Sequence, residues 1–272
     1  MRARSIFAFV VLCACGPASR TPGSGDDGTS PPDGNNPGGG DGPAAQTFVY
    51  AQTATELYRV DPDTLAITLV GPFTFTGARE DITDIAIDKN NVMIGISFDT
   101  VYRIDTNTAA ATKLSGGLSG MFNGLSFVPA STIGQTGDDV LVATRNTDGV
   151  VLRVDPMTGG TTEIGNMGNF SSSGDLVSVV GFGTMQTADT GLFSPDQLVK
   201  LADQSFSASP IGSTIGFADI WGVAFWKGKL FGFTKGGEFI TMDPTTGAGT
   251  LVQGGGPEWW GAAVTTLAPV IQ

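Results

Sequence analysis

The sequence predicts an all-β protein whose repeated units close into a ring, the five-bladed β-propeller, and three observations predict it. An alternating apolar run that ends in Asp-Pro-x-Thr, or in a relic of it, occurs five times. Successive copies are 44, 50, 47 and 41 residues apart, which is the spacing of four-stranded propeller blades. Glycine is abundant, at 40 of 272 residues, as in β proteins with many tight turns.

Each copy is interpreted as a β-hairpin that forms the outer two strands of a blade. Pro presets φ for the turn, Asp accepts backbone N–H bonds, and a following residue such as Gly159 or Gly247 takes the left-handed conformation. Blade four departs most, since Ala202 stands in the Asp place and its turn is expected to differ. The aligned positions are Asp61, Asp105, Asp155, Ala202 and Asp243.

Two further strand-like runs precede each hairpin except the first, which has only residues 47–51 before it. Trp260-Gly261-Ala262-Ala263-Val264 resembles Trp221-Gly222-Val223-Ala224-Phe225, so the C-terminal strand is expected to join the N-terminal blade and close the ring. A pair of β-sandwiches would give similarly spaced strands but would not explain this C-terminal copy. The other four blades are expected at residues 82–116, 121–166, 174–213 and 219–254.

The first residues are typical of an exported lipoprotein. Arg2 and Arg4 precede a short apolar run, 6–12, as in a secretory signal peptide. Leu12-Cys13-Ala14-Cys15-Gly16 resembles the bacterial lipobox, which implies a lipid on Cys15. The alternative is an ordinary cleaved signal peptide with an incidental Cys.

Three segments are expected: a signal peptide at 1–14, a lipidated and disordered tether at 15–45, and the propeller at 46–272. The tether is rich in Gly, Pro and Asp and has few apolar side chains to bury. Gly16 stands where an Asp would indicate retention at the inner membrane, so the resemblance implies the outer membrane of a Gram-negative bacterium.

Composition excludes several classes of chemistry. The formal net charge is -12, so nucleic acid is not expected as a partner. The chain contains no His, which excludes His-based acid–base catalysis, His-ligated zinc and Ser-His-Asp triads. Cys13 and Cys15 are the only cysteines, so the propeller has neither a disulfide nor a thiol nucleophile.

The candidate site lies where the innermost strands begin, at one mouth of the central channel. Four acidic residues at this mouth would suit Ca²⁺ or a cationic ligand, although Asp also caps turns while remaining solvated. Trp221 and Trp260 adjoin them and would suit a sugar or a cation, with packing between blades as the alternative. The aligned positions are Asp81, Met121, Asp175, Asp219 and Glu258.

Blades such as Leu57 to Thr64 and Val101 to Thr108 resemble the repeats of bacterial secreted and surface β-propellers over residues 47–267. The resemblance implies the fold and says little about activity. We expect a non-catalytic binding or scaffolding module that presents one face to a protein or glycan and needs no cofactor apart from Ca²⁺. The alternative is a carbohydrate-active hydrolase that uses two carboxylates of the mouth, about 5–9.5 Å apart.

Overall fold

The structure, a computed structural model, describes residues 48–191 and 194–271. The predicted signal peptide, the predicted lipidation site Cys15 and the predicted tether lie outside the described residues. The chain forms a five-bladed β-propeller in which every blade has four antiparallel strands, as the repeat spacing predicts, and the sheet of blade two includes one additional short strand. Within the described ranges no helix has the length and apolarity required to cross a bilayer.

Each blade has four strands, and short connections join them. Blade one contains β1 (Val49–Gln52), β2 (Glu56–Val60) and β3 (Ile67–Pro72). The short strand β4 (Thr74–Phe75) leads to blade two, which contains β5 (Asp84–Ile87), β6 (Met93–Ile96), β7 (Thr100–Ile104) and β8 (Ala110–Gly116). Blade three contains β9 (Phe122–Val128), β10 (Val140–Arg145), β11 (Val150–Val154) and β12 (Thr161–Asn166), with a 3₁₀ helix at Ala130–Ile133.

Blade four contains β13 (Ser171–Val179), β14 (Gly183–Asp189), β15 (Gln197–Leu201) and β16 (Ala208–Ile211). Blade five contains β17 (Ile220–Trp226), β18 (Lys229–Thr234), β19 (Phe239–Met242) and β20 (Gly249–Gln253), and β21 (Gly261–Ala263) follows. Two features were not predicted: β4 pairs in parallel with β8, and the 3₁₀ helix interrupts blade three.

The ring closes as predicted, because β21 pairs with β1 and becomes the innermost strand of blade one. Ala262 lies opposite Ala51, and Gly261 lies opposite Gln52. The innermost strands of all five blades contact one another around the axis. Closure pairs the inner edge of the N-terminal blade, which would otherwise be an exposed strand edge.

Residues after β21 cross the end of the axis at which the innermost strands finish. The Thr265 hydroxyl donates to the carbonyl of Asp88 at 2.9 Å, and the Thr266 hydroxyl donates to Asp139 Oδ2 at 2.7 Å. The Val180 amide donates to the carbonyl of Thr266, and the Lys227 amide donates to that of Pro269. This segment, residues 264–271, is called the C-terminal strap, and it contacts blades two to five.

The repeated Asp shapes the hairpin turn from its side chain. Asp61 Oδ1 accepts bonds from the amides of Asp63 and Thr64 at 3.0 and 2.9 Å, and Asp243 Oδ1 does the same for its own turn. These bonds lower the pKa of both carboxyls. All five turns have a left-handed residue, although only two of them are glycines: Leu65, Ala109, Gly159, Phe206 and Gly247.

The turn of blade four differs in what holds it. Ala202 offers no side-chain acceptor, but the Phe206 amide still donates to the Ala202 carbonyl at 2.8 Å, so the main-chain shape is kept. The Gln204 amide donates to the carbonyl of Thr132, in the 3₁₀ helix of blade three, at 2.7 Å. A contact with the neighbouring blade therefore takes the place of the Asp bonds.

The core is divided among clusters that lie between adjacent blades. Between blades five and one, Phe233 stacks on Phe239 with centroids 4.8 Å apart. Trp259 is fully buried there, and its ring meets Tyr58 edge-on at 5.1 Å. Trp259 thus holds the closing strand against the rest of the ring, whereas Trp260 points to the mouth.

Candidate functional site

Strand register places the aligned acidic residues in two different environments. Asp81, Met121, Asp219 and Glu258 occupy equivalent positions just before the innermost strands, and all four are exposed. Asp175 does not share that position. The expectation that all five would lie together is wrong for this residue.

A bulge in β13 explains the error. Leu176, opposite Gln186, takes the place that Val223, opposite Gly232, has in blade five. Asp175 therefore corresponds to Gly222, three residues beyond Asp219, and the register of β13 shifts between Ser172 and Leu176. Its equivalents in the other blades are Asp84, Gly124, Gly222 and Gly261.

Asp175 lies in the interior of the ring and bonds to three blades. Its Oδ1 accepts a bond from the Leu176 amide at 2.6 Å. Its Oδ2 accepts bonds from the amides of Val223, in blade five, and Ala262, in blade one, at 3.1 and 3.4 Å. The side chain is fully buried, so it joins blades and is closed to ligands.

Asp84 is the second carboxyl of the interior. It is 1% exposed, and its Oδ1 accepts a bond from the Ile85 amide at 2.8 Å. Its Oδ2 is buried and has no hydrogen-bond partner among the described residues. The backbone amide of Leu125, in blade three, lies near both Asp84 and Asp175 and lowers the pKa of each carboxyl. Amides from all five blades therefore face these two groups, which we call the axial carboxyl pair.

Glycine makes room for the axial carboxyl pair. A Cβ on Gly261 would clash with Asp84 Oδ1, and a Cβ on Gly222 would lie 2.7 Å from the carbonyl carbon of Gly261. Burial raises the pKa of both carboxyls well above the ordinary value, and the charge of Asp175 adds to the effect on Asp84. The folded chain therefore holds the protons of these two carboxyls to higher pH than the unfolded chain does.

A cavity of about 450 Å³ opens at the mouth, where the innermost strands begin. Three predicted site residues, Asp219, Trp221 and Trp260, border it, and Asp81 and Glu258 do not. Its apolar lining comes from Phe98, Met121, Phe122, Trp221 and Trp260. Its polar lining includes Asn123, Ser172, Ser173, Asp189, Asp196 and Asp219. We call this cavity the mouth pocket.

The two tryptophans meet across the junction of blades five and one. Their rings are perpendicular, with centroids 6.0 Å apart, and both side chains are half-buried. Lys235 Nζ lies 4.6 Å from the centre of the Trp221 ring, a cation–π contact. Trp221 and Trp260 therefore pack between blades and border the mouth pocket at the same time.

Asp196 is a site residue that the sequence analysis missed. It precedes β15 and is 2% exposed, and its Oδ2 accepts bonds from the Ser173 hydroxyl and the Ile220 amide, both at 2.8 Å. Burial raises its pKa to about 6, and the charges of Asp219 and Asp189 add to the rise. Both of these hydrogen bonds end at Oδ2. Oδ1 therefore has no hydrogen-bond donor among the described residues and can accept a bond from a ligand.

Asn123 supplies a second acceptor at the mouth pocket. Its Nδ2 donates to the carbonyl of Ser172 at 2.9 Å, which fixes the amide group. Its Oδ1 is buried and has no partner within the described residues. A buried carbonyl without a donor is costly, and a ligand that brings a donor would remove that cost.

The structure does not form the acidic ring expected for Ca²⁺. Within residues 48–191 and 194–271 no three His, Cys, Asp or Glu side chains lie close enough to hold a metal ion. Asp175 lies in the interior, and the other three predicted acidic residues lie apart around the mouth: Asp81, Asp219 and Glu258. The mouth pocket is therefore interpreted as a site for a molecule larger than an ion.

No family model and no curated protein matches the chain. Solved structures do match, among them one from work on the de novo evolutionary emergence of a symmetrical protein shaped by folding constraints. It is 15% identical, covers 84% of this chain and 100% of its own, and has a TM-score of 0.50. At this identity the likeness shows the fold alone.

Proposed function

We propose that this protein is a non-catalytic binding module that holds a small ligand, or the tip of a larger protein or glycan, in the mouth pocket. The observation that carries the proposal is the convergence of aromatic rings and two acceptors on one cavity of about 450 Å³. Asn123 Oδ1 is buried without a described partner, and both described bonds to the Asp196 side chain end at Oδ2, which leaves Oδ1 open to a ligand. Concave sites with apolar walls and a few polar groups are the usual form of ligand sites.

The two ends of the axis differ in a way that favours this mouth. The C-terminal strap crosses the other end, and the axial carboxyl pair occupies the middle. A ligand that approaches along the axis is therefore accommodated only where the innermost strands begin.

The binding module is proposed to be held at the outer membrane by a lipid on Cys15. The support is the lipobox-like sequence around Cys15, and Gly16 in the place of an Asp. Metabolic labelling with an alkyne fatty acid tests it: Cys15→Ala is expected to abolish labelling and membrane fractionation, and Cys13→Ala is expected to retain both. Labelling that follows Cys13 would contradict the assignment.

A carbohydrate-active hydrolase is the second candidate, and one observation favours it. Asp196, with a pKa raised to about 6, would be the protonated acid beside the carboxylates of Asp189 and Asp219. A panel of chromogenic glycosides tests it. Turnover that Asp196→Asn abolishes would replace the binding module with an enzyme. Asp175 is buried in the interior and is not available for this role.

The binding proposal is tested with the full-length protein on a glycan array and in a small-molecule screen by ligand-observed NMR. Ligands of the mouth pocket are expected to lose at least about tenfold in affinity with Trp260→Ala. Leu251→Ala is the matched control, because Leu251 is an exposed residue of the outermost strand of blade five. Equal loss in both variants, or ligands insensitive to either, would contradict a site at the mouth.

A further inference from the structure

We propose that the ligand of the mouth pocket is an organic ammonium, a primary amine whose apolar body lies against Trp221 and Trp260. Its nitrogen donates hydrogen bonds to Asp196 and Asn123. This inference rests on the proposed binding function and specifies the chemical class of the ligand.

The charges around the mouth pocket favour a cation. Asp189, Asp196 and Asp219 line it, and its described lining contains no Lys or Arg. The charges of Asp219 and Asp189 both raise the pKa of Asp196, so the three carboxyls lie close enough to repel one another. An anion would add to this repulsion, whereas a cation relieves it.

The two side-chain atoms of the mouth pocket that are open to a ligand are both acceptors. Asn123 Oδ1 has no donor within the described residues, and Asp196 makes both of its side-chain bonds through Oδ2. Side-chain amide and carboxylate oxygens need N–H or O–H groups. An ammonium offers three donors and no acceptor, so it can satisfy both oxygens, whereas an alcohol offers one donor.

The aromatic wall already holds a cation in its own chain. Lys235 Nζ lies over the Trp221 ring at 4.6 Å, and the Trp260 ring stands perpendicular to that of Trp221. Cations and apolar surfaces both bind aromatic faces. No three Asp or Glu side chains come close enough here, among the described residues, to hold a metal ion, so the cation proposed is an amine with a carbon skeleton.

Benzylammonium and benzyl alcohol form a matched pair of probes, equal in shape and different in charge and donors. Calorimetry with the full-length protein at pH 7.5 is expected to give at least about tenfold tighter binding of benzylammonium. Asp196→Asn is expected to remove this preference. Asp203→Asn, at an exposed turn position of blade four, is the control and is expected to retain it.

Acid is expected to weaken binding of benzylammonium, which remains protonated throughout. Asp196 faces Asp189 at the end of β14 and Asp219 before β17. Its pKa of about 6 makes it ionised at pH 7.5 and protonated at pH 5, so affinity falls as pH decreases. Asp196→Asn is expected to flatten this profile between pH 5 and 7.5.

Asp219→Asn, at an exposed residue, is the second variant in case Asp196→Asn fails to fold, since Asp196 is buried. It is expected to lower the affinity for benzylammonium by about threefold. Unchanged binding in a folded Asp196→Asn variant, or equal affinity for the amine and the alcohol, would overturn the inference. A neutral ligand whose binding depends on Trp260 would overturn it and leave the proposed function standing. The proposed function fails if no ligand of any kind loses more affinity with Trp260→Ala than with Leu251→Ala.

Discussion

Asp84→Asn and Asp175→Asn make the same chemical change at equivalent positions of two blades, and we expect opposite outcomes. Asp175 accepts three described amide bonds over both oxygens. Asp84 accepts one described bond at Oδ1, and its Oδ2 has no donor within the described chain. An Asn side chain keeps one acceptor oxygen and replaces the other with a donor group.

In Asp175→Asn the best orientation retains the bonds from Val223 and Ala262 and turns the new NH₂ toward the Leu176 amide. The Leu176 amide and the new NH₂ are then two buried donors that face each other without an acceptor, at about 1–3 kcal/mol each. We expect a loss of about 3–5 kcal/mol in the free energy of unfolding. For a domain of this size that lowers the melting temperature by about 6–20 °C.

In Asp84→Asn the oxygen still accepts the bond from Ile85, and the NH₂ takes the place of Oδ2, which has no donor to lose among the described residues. We expect a change within about 1 kcal/mol. The pH profile also separates the variants. Because the pKa of Asp84 and of Asp175 is raised in the folded state, the folded chain holds more protons than the unfolded chain above about pH 4, and stability falls as pH rises.

Chemical denaturation at pH 5, 6.5 and 8 is the assay. The wild type is expected to lose stability with rising pH. Asp84→Asn is expected to lose less, because an amide at position 84 does not titrate. Asp196 contributes in the same direction in both proteins, so the difference isolates the axial carboxyl pair. Equal destabilisation by both substitutions, or parallel pH profiles, would refute the reasoning.

Two further predictions concern a turn glycine and the C-terminal strap. Gly247→Ala is expected to lower the free energy of unfolding by about 1–3 kcal/mol, since Gly247 has a φ of +74° and a Cβ there would lie 2.5 Å from the Ile211 carbonyl oxygen. Gly254→Ala, with nothing within 4 Å, is the neutral control, and equal melting temperatures would contradict this account. Thr266→Val is expected to cost about 1–2 kcal/mol by removing the hydrogen bond to Asp139, and hydrogen exchange should show faster exchange of the Val180 amide if the C-terminal strap loosens.

The ring could be predicted from the sequence because its signals are local and repeated. The Asp turn recurs at a fixed interval, and the strand around Trp260 copies the strand around Trp221. Both signals depend on backbone requirements that every blade shares. The turn of blade four shows the limit of this reasoning, since Phe206 adopts the left-handed conformation with neither the Asp nor a glycine to indicate it.

The candidate site was only partly predictable because it is assembled from loops of several blades. Asp219, Trp221 and Trp260 were found because they adjoin a recognisable strand. Asp196 precedes a third strand in a loop with no repeat signal, and only the folded ring brings it beside Ser173 and Ile220. Asp175 was misplaced because a bulge shifts its register, and spacing counted along the chain does not reveal a bulge.

A ring of equivalent blades places the same backbone around its axis five times, so chemistry there must come from positions at which the blades differ. Of the five equivalent positions at the level of the axial carboxyl pair, two carry Asp and three carry Gly, and steric contacts exclude a side chain at the glycines. A Cβ on Gly124 would lie 2.7 Å from the Gly174 carbonyl oxygen, and one on Gly261 would clash with Asp84. A third carboxyl at Gly124 or Gly261 would therefore find no space.

At the mouth the equivalent positions just before that level hold Thr83, Asn123, Trp221 and Trp260, and here the difference is between polar and aromatic side chains. The polar members lie in blades two and three and the aromatic members in blades five and one, so an asymmetric ligand can bind in one orientation only. Asp196 of blade four adds the charge between them. Exchanging Asn123 and Trp221 would preserve the composition of the mouth pocket but interleave its polar and aromatic members around the axis. A folded double variant is therefore expected to lose the preference for benzylammonium over benzyl alcohol, which the same calorimetric comparison measures.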